Sequence, residues 1–394
     1  MRFKINRNVM VELLKSMYKV VPRESPVKEL TCFLLEANED DGYLYVSTTN
    51  LEVSVQRKIK VQMESGGSVL IKAQLLYQMV HLLGGDDVEI LSKTEGLATI
   101  ISGNCTYTIS TLNAKEFPKV EVPFPGNMAN ISGMAQMYAK TRATVLSSGV
   151  PDTMKGIHFD IHPNGFRVIS CNLQNISMVS KMTDCGMGMD FTLPKTTLMY
   201  LAAAAGDEEL QVGMTNTHVV FMKEGMVFSA RKLAHEYVNV DDVLNRLKPV
   251  CSMKVEYEDF KPKLEEIYAI AQMGEKTSYI GIKFDGEKLE LSTQNNIGKS
   301  CNEVDAVKIS GEETGMKFFY PATHLKNVFD TVEGTLVVQT DARGYILIRD
   351  RYNRFMLTRV SDEAVKKQME DYTKEKKPKK AKKTKTTKTE EKAA

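Results

Sequence analysis

Some residue spacings have the form of a phosphate or metal site, and each is incomplete. Gly298-Lys299-Ser300 ends like a phosphate-binding loop, but Thr293 stands where that loop requires its first glycine. His158 and His162 have the four-residue spacing of a helical metal pair, yet the segment around them alternates like a strand running into a turn. These spacings therefore predict neither a nucleotide site nor a metal site.

Other reactive residues are equally dispersed. The acidic stretch 38–42 lacks the spacing of a calcium loop and is typical of a turn. The six cysteines form no CxxC pair, which argues against structural zinc or a disulfide framework and favours a reducing cytoplasm. No Ser/His/Asp nucleophile or paired-carboxylate signature stands out. The sequence predicts a protein that is not an enzyme and has no cofactor.

Charge is unevenly distributed along the chain. The net charge is +2, but residues 363–394 alone carry 12 lysines and 6 acidic residues, so the body up to residue 362 is net −4. Such a body does not attract nucleic acid as a whole, so any DNA function requires segregated charge or the tail. Residues 373–394 are mostly Lys, Thr, Glu and Ala, which cannot bury enough apolar surface to fold alone, and the tail is predicted to be disordered.

Three segments repeat one pattern of strand, helix and strand. They begin at Val69 (VLIKAQLLYQMVHLLGGDDVEI), Phe191 (FTLPKTTLMYLAAAAGDEELQV) and Phe318 (FFYPATHLKNVFDTVEGTLVV). The helix within each repeated segment is predicted at 72–83, 194–205 and 321–332. A further amphipathic helix is predicted upstream of each segment, at 6–20, 133–148 and 261–273. Each third of the chain is predicted to contain helix, strands, helix and strands.

A second landmark recurs in register with the first. Asn50, Asn172 and Asn295 each follow an alternating, strand-like run and are 122 and 123 residues apart. Proline-containing stretches at 118–125 and 246–249 separate the repeats. The predicted α+β domains are 1–124, 125–247 and 248–362, followed by the tail 363–394. Three unrelated modules of similar composition are the alternative.

The repeats and several motifs resemble the β subunit of bacterial DNA polymerase III, the sliding clamp, over about residues 1–360. The resemblance is most specific in MRFKINRNVMVELLKSMYKVV, TTNLEVSVQRKI and ISGNCTYTISTLNAKEFPKV. It implies a DNA-clamp fold in which each domain has two helices packed on antiparallel sheets. It also implies a head-to-tail homodimeric ring, with helices lining the hole, that encircles duplex DNA and tethers polymerases.

The charges of the predicted helices suit that implication. Those six segments sum to +6 and the rest of the body to −10. Basic helices facing phosphates supply a salt-dependent attraction without reading the base sequence. Arg23 is included because it matches a loop arginine of the family. The candidate DNA contacts are Arg7, Lys15, Lys19, Arg23, Lys72, Lys140, Arg142, Lys195, Lys261, Lys263 and Lys326, and for each a solvated helix face is an equal alternative.

The family also has a pocket between its second and third domains, where polymerases and the clamp loader dock a short linear motif. Here the usual Asp-Gly-His-Arg-Leu is replaced by residues 172–176, Tyr-Pro-Asp-Tyr by 237–240, and Met-Pro-Met-Arg-Leu by 356–360. We therefore expect a specialised clamp, phage-encoded or a paralogue. The candidate pocket residues are Met154, Cys171, Leu173, Ile176, Val238, Val243, Phe355 and Met356.

The resemblance places the dimer interface on an edge strand of the first domain. That strand contains Tyr107 and Ile109, which would face Ile270 and Met273 of the neighbouring copy; ordinary core positions are the alternative. A strand edge needs a partner or a cover.

Two further expectations concern partners and location. No apolar run approaches the roughly 18 residues of a membrane span, and a cytoplasmic protein is expected. The competing function is a nucleoid scaffold that binds DNA mainly through its lysine-rich tail.

Overall fold

The computed structural model describes residues 1–367 except 121–123, 146–148, 275–277, 312–314 and 316. It contains two compact units. Unit 1 comprises residues 1–246 and 352–356, and unit 2 comprises residues 247–351 and the chain from residue 357 onward. The three predicted domain boundaries stay a prediction.

Unit 1 contains five of the α-helices. They are α1 (Arg7–Tyr18), α2 (Ala73–Leu82), α3 (Met134–Thr141), α4 (Lys195–Ala205) and α5 (Val240–Asn245). Unit 2 contains α6 (Tyr257–Gln272) and α7 (Ala322–Phe329). Residues 362–367 are also helical, with Val365 buried, whereas the rest of the predicted disordered tail lies outside the described residues.

The strands of unit 1 form antiparallel sheets. They are β1 (Arg2–Asn6), β2 (Cys32–Asn38), β3 (Tyr43–Thr49), β4 (Val53–Lys60), β5 (Gln62–Ser65), β6 (Gly67–Lys72), β7 (Asp87–Leu91), β8 (Leu97–Ser102), β9 (Cys105–Ser110), β10 (Ala129–Ser132), β11 (Ile157–His162), β12 (Gly165–Cys171), β13 (Asn175–Met182), β14 (Met189–Leu193), β15 (Glu209–Met214), β16 (His218–Lys223) and β17 (Met226–Arg231). One sheet has the order β5-β1-β7-β8-β9, and a second has β10-β15-β16-β17-β4-β3-β2-β6. A third sheet runs β14-β11-β12-β13 and continues with residues 354–356.

Unit 2 is likewise built of antiparallel sheets. Its strands are β18 (Pro249–Glu256), β19 (Tyr279–Asp285), β20 (Lys288–Gln294), β21 (Lys299–Asp305), β22 (Val307–Gly311), β23 (Lys317–Pro321), β24 (Thr335–Asp341) and β25 (Ile346–Arg349). The remaining strand of the chain, β26 (Arg354–Leu357), supplies residues 354–356 to unit 1. Within unit 2 the sheet orders are β25-β24-β18-β22 and β21-β20-β19-β23.

The three landmark asparagines make the same turn. The side-chain Oδ1 of each accepts hydrogen bonds from the backbone N–H groups two and three residues later: from Glu52 and Val53, from Gln174 and Asn175, and from Ile297 and Gly298. Each asparagine N–H also donates to the carbonyl three residues on. Asparagine stabilises such turns through its own side chain, which explains why this residue type marks all three repeats.

A backbone hydrogen bond recurs after the last strand of each repeat. The amides of Leu112, Leu233 and Val360 donate to the carbonyls of Leu70, Thr192 and Phe319 at 2.9, 2.8 and 2.7 Å. These acceptors occupy the second position of the three repeated segments found in the sequence. The triple repeat is therefore confirmed, and it sets the correspondence of residues between repeats.

Helices and aromatic residues of the core hold the sheets in place. Within unit 1, α1 contacts α2 and α4, and α4 contacts α3, so these four helices form one continuous layer. Phe159 stacks on Phe191 at 4.9 Å between ring centroids, and Phe221 meets Phe228 edge to face at 5.9 Å. In unit 2, Phe260 of α6 stacks on Phe329 of α7 at 4.0 Å. Such pairs add to the free energy of apolar burial.

Helix boundaries differ from prediction mainly at α3 and α6. The helix expected at 133–148 ends at Thr141, and 146–148 lie outside the described residues. The helix expected to begin at Lys261 begins at Tyr257, so Pro262 is an interior residue that cannot donate a backbone hydrogen bond. The short helix α5 was not predicted.

Candidate functional site: a basic helix layer and two strand junctions

The helix layer of unit 1 is basic. Arg7 and Lys15 lie on α1, Lys140 on α3 and Lys195 on α4, while Lys19, Lys72 and Arg142 lie at helix ends. Glu12 is the one acidic residue on α1 to α4. Lys19, Lys72, Arg142 and the loop residue Arg23 are exposed. The structure therefore brings the unit 1 members of the candidate DNA set onto one layer or its ends.

Three of these basic side chains already have partners. The guanidinium of Arg7 donates to the carbonyls of His81 and Leu83, at 3.1 and 2.9 Å, at the end of α2. Lys195 Nζ donates to the carbonyl of Val145, and burial, with Arg142 as a second cause, lowers the pKa of Lys195. Lys15 pairs with Glu12 at 3.3 Å. Arg7 and Lys195 therefore help to fix helix ends.

The helices of unit 2 are less basic than predicted. With its observed start, α6 carries four acidic residues beside Lys261 and Lys263. Lys261 lies over the Tyr257 ring, and a hydrogen bond to Tyr257 raises the pKa of Lys261. Lys326 of α7 pairs with Glu265 at 3.7 Å and with Asp330. The predicted helix charge of +6 was therefore too high, because α6 begins at a turn that contains Glu258 and Asp259.

The candidate pocket residues gather where β13 meets residues 354–356; we call this pairing the second junction. Cys171 and Ile176 are directly opposite each other on β12 and β13, and both are buried, as are Phe355 and Met356. Val238 N–H donates to the Thr153 carbonyl at 2.9 Å, which holds Val238 beside the turn that contains Met154. Val243 lies on α5, half-buried. Leu173 is separate from the buried members, because its side chain is 63% exposed in the Asn172 turn.

Tyr237 anchors the segment that follows β17 to the second junction. Its hydroxyl oxygen accepts from the Cys171 N–H at 3.0 Å, and its ring stacks on His158 at 5.0 Å between centroids. Burial strongly raises the pKa of the Tyr237 hydroxyl and lowers the pKa of His158. The sequence placed Tyr237 in a replaced family motif but not in the pocket; an aromatic residue among polar neighbours was the available signal.

The candidate interface strand has an open edge. β9 is the last strand of its sheet, Tyr107 is exposed and Ile109 is half-buried. In unit 2, Ile270 is half-buried near the end of α6, and Met273, which follows that helix, is exposed. β21 is likewise the last strand of its sheet. Both edges present unpaired backbone groups.

The described residues contain no group of three or more His, Cys, Asp or Glu side chains arranged to hold a metal ion. His158 and His162 both lie on β11, where His162 Nε2 is 2.9 Å from Asp160 Oδ1 and His158 Nδ1 is 3.1 Å from Thr192 Oγ1. Lys299 and Ser300 begin the edge strand β21. No helix in the described part of the chain is long and apolar enough to cross a membrane.

Known proteins share this architecture along nearly the whole chain. Residues 1–121 match the family model of the DNA polymerase III beta subunit, N-terminal domain. The beta sliding clamp of Chlamydia muridarum is 22% identical over 317 residues, which cover 79% of this chain and 83% of that protein.

Solved structures show the same fold. The DNA polymerase sliding clamp of Bacillus subtilis superimposes with a TM-score of 0.81 at 19% identity, covering 92% of this chain and 99% of that one. The beta subunit of Thermotoga maritima gives a TM-score of 0.80 at 15% identity over 91% and 99%. The fold is the DNA-clamp fold, residues 1–121 match the N-terminal domain of the DNA polymerase III beta subunit, and the relatives that the chain matches along most of its length are beta sliding clamps.

Proposed function

We propose that this protein is a non-enzymatic DNA sliding clamp: a homodimeric ring that encircles duplex DNA and tethers replication or repair proteins to it. The relatives that it matches along most of its length are beta sliding clamps. The observation that carries the proposal is a pairing between strands of successive repeats. The chain makes this pairing twice, and the two equivalent strands that remain, β9 and β21, have open edges.

The first of these pairings joins β4, which follows the Asn50 turn, to β17; we call it the first junction. The second junction joins β13, which follows the Asn172 turn, to residues 354–356. In the third repeat the corresponding strand is β21, which follows the Asn295 turn, and the counterpart of β17 in the first repeat is β9. We propose that β9 of one copy pairs with β21 of the other, because both edges are open.

The repeat correspondence predicts the register of that pairing. Phe228 is opposite Val55 at the first junction, and their counterparts are Tyr107 on β9 and Ser300 on β21. Oxidation of a Tyr107→Cys/Ser300→Cys variant, with Cys105 and Cys301 changed to Ser, should give a covalent dimer on a denaturing gel. A Thr106→Cys/Ser300→Cys control should not, since neighbouring strand residues face opposite sides. Equal cross-linking of the two variants contradicts this register.

Retention on DNA tests the ring itself. Purified protein is mixed while dilute with nicked circular plasmid, concentrated to allow ring assembly, and washed at high salt. Salt removes electrostatic contacts, whereas a topological link survives it. We expect salt-resistant retention on circles, lost after the plasmid is cut once. A variant with Tyr107→Arg and Ile109→Asp should not be retained. Equal retention on cut and intact plasmid contradicts the clamp.

The basic helix layer supplies the weaker, diffuse contact with phosphates. Changing the exposed Lys19, Lys72 and Arg142 to Glu should lower the slope of log affinity against log salt by up to about 3, near one per phosphate contact. The matched control changes Lys60, Lys93 and Lys115, exposed residues outside these helices, to Glu. An equal effect of the two triple variants contradicts assignment of the contact to the helix layer.

For partners, we propose that polymerases and a clamp loader dock a linear motif at the second junction, around Leu173, Met154, Val238 and Val243. These side chains are exposed or half-buried beside a buried apolar wall. Because the surrounding residues differ from the family, we expect a labelled peptide with the usual clamp-binding motif to bind more weakly than to typical clamps in a fluorescence titration. Ordinary affinity contradicts altered specificity. Leu173→Arg should abolish the binding that remains.

The competing function, a nucleoid scaffold acting through the lysine-rich tail, makes a different prediction. It requires salt-sensitive binding to closed circular DNA without ring assembly, and that binding should disappear after truncation at Asp371. A clamp truncated at Asp371 should keep its salt-resistant retention on circles. The repeated junctions favour the clamp.

A further inference from the structure

The first junction contains a cavity of about 280 Å³. Two rows of side chains form its floor across paired strands: Ser47, Gln56 and Val227 in one row, and Thr49, Ser54 and Ser229 in the other. Phe117, Pro118, Val120 and Phe124, from the segment after β9, complete the lining with others. The cavity lies wholly within unit 1.

Four of the six floor residues are serine or threonine, whose small side chains leave space above the sheet. By the repeat correspondence, Ser47 and Gln56 become Ile169 and Met178 at the second junction, and Ser54 and Ser229 become Ile176 and Met356. Those four residues are buried apolar side chains. The second junction therefore has buried apolar side chains at the positions where the first junction has serine and glutamine.

The rim of the cavity and its neighbourhood are apolar and exposed. Phe124 and Val227, which line the cavity, are 69% and 39% exposed. Leu51, two residues after the lining Thr49, is 51% exposed and has a φ of +72°, a conformation unfavourable for a branched side chain. Clustered exposed apolar residues around a concavity are typical of interaction sites.

The polar groups of the floor define what a ligand meets. Gln56 Nε2 donates to Ser47 Oγ at 3.1 Å, and Ser54 Oγ donates to Thr49 Oγ1 at 2.7 Å. Two charged residues line the cavity, Glu36 and Lys119, and they neutralise each other as an ion pair at 2.9 Å. An uncharged ligand complements this lining, whereas a nucleic acid backbone does not.

We propose that the first junction is a docking site for a short linear segment of a partner protein, which inserts one large uncharged side chain into this cavity. The volume is slightly below the roughly 300–1,000 Å³ of small-molecule sites, so it accommodates one anchoring side chain. The exposed Phe124, which lines the cavity, adds apolar surface beside that anchor. A ligand that continues past the cavity along this surface is a peptide chain.

The mode of binding follows from the sheet. β4 pairs with β3 and β17, and β17 pairs with β16 and β4, so neither strand has an open edge. The segment therefore cannot add a strand at this junction. It is held by the anchor side chain and by hydrogen bonds to the floor hydroxyl and amide groups.

The test measures binding of the tripeptide acetyl-Ser-(4-fluoro-Phe)-Ser-amide to the full chain by fluorine NMR, without DNA. We expect saturable binding with a Kd on the order of 1 mM. Ser229→Met, which introduces the residue of the second junction, should weaken binding at least about tenfold. Val227→Ser and Phe124→Ser, at exposed positions that folding does not require, should weaken it about threefold.

The matched control is Leu173→Ser, in the corresponding turn of the second junction, and it should leave binding unchanged. Absence of saturable binding to the unaltered protein overturns the proposal. So does loss of binding in Leu173→Ser with retention in Ser229→Met, because the site would then be the second junction. Binding equal in all variants means non-specific association and also overturns it. None of these outcomes depends on retention of the ring on DNA.

Discussion

The two strand junctions of unit 1 have the same backbone plan and opposite side-chain chemistry. At the first, serine, threonine and glutamine side chains form the floor of a cavity. At the second, Ile169, Met178, Ile176 and Met356 are buried in the same places. Repetition of a pairing therefore conserves hydrogen-bond geometry, while the side chains at equivalent positions change from small polar to larger apolar ones.

The segments that cross the two junctions differ in the same way. At the second junction, Tyr237 is fixed by the Cys171 N–H and by the His158 ring. At the first, the segment after β9 contributes Phe117, which is buried, and Phe124, which is largely exposed. At the second junction the Tyr237 segment is anchored and Leu173 of the turn is exposed, whereas at the first junction both Phe124 of the covering segment and Leu51 of the turn are exposed.

The largest effect should be common to both junctions. Phe228 and Phe355 correspond in the repeats and are almost completely buried. Phe228→Ala and Phe355→Ala should each lower the free energy of unfolding by about 3–5 kcal/mol, from lost burial and the cavity left behind. Urea denaturation measures both. A loss below about 1 kcal/mol for Phe355→Ala alone would show that the junctions are not equivalent in packing.

A smaller effect should be confined to the second junction. Tyr237→Phe removes the acceptor of the Cys171 N–H and leaves that buried group unpaired, which should cost about 1–3 kcal/mol of unfolding free energy. Tyr45→Phe is the control, since its hydroxyl bonds to Asp41 at the surface, and it should cost less than about 1 kcal/mol. Thermal or urea unfolding distinguishes them, and equal costs would contradict the anchoring role of Tyr237.

The second junction should also sense pH through His158. Burial lowers the pKa of this imidazole, so the unfolded chain binds its proton more readily than the folded protein does. Stability is then complete above the usual histidine pKa of about 6.5 and is lost as the pH falls below it.

His158→Gln should therefore lose less stability than the unaltered protein between pH 7.5 and pH 5.5 in urea titrations. Burial also lowers the pKa of His324 in unit 2, so His324 contributes in the same direction and remains in both the variant and the unaltered protein. An unaltered slope in His158→Gln contradicts the assignment.

The smallest effect separates the two asparagine turns. Leu51→Gly removes strain of about 1–2 kcal/mol at the positive φ against a glycine entropy cost of about 0.5–1 kcal/mol, so it should stabilise by up to about 1 kcal/mol. Leu173 has no positive φ, so Leu173→Gly should lower the free energy of unfolding by about 0.5–1 kcal/mol. Differential scanning calorimetry measures both, and equal signs would contradict the assigned strain.

Much of the helix pattern was predictable, because helix ends depend on nearby residues. Five predicted helix starts lie within one residue of the observed α1, α2, α3, α4 and α7. The start of α6 and the length of α3 were wrong, and α5 was missed. At α6, packing of Phe260 against Phe329 retains a turn that the proline pattern alone disfavours.

The candidate contacts were less predictable than the elements that carry them. Lysine positions on helices follow from periodicity, but the partners of those lysines come from other segments. Lys326 meets Glu265 across two helices, and Lys195 meets the Val145 carbonyl 50 residues away. The sequence therefore predicted the positive charge of the helix layer in unit 1, but it overestimated the positive charge of the helices in unit 2.

The sequence by itself determined the triple repeat and its asparagine turns, because an asparagine side chain bonds to its own backbone two and three residues later. Only the tertiary structure decided that a cavity forms at the first junction. The cavity of the first junction is enclosed by side chains from β2, β3, β4, β16, β17 and the segment after β9. Its volume depends on how those distant side chains meet, a quantity that local hydrogen bonding does not specify.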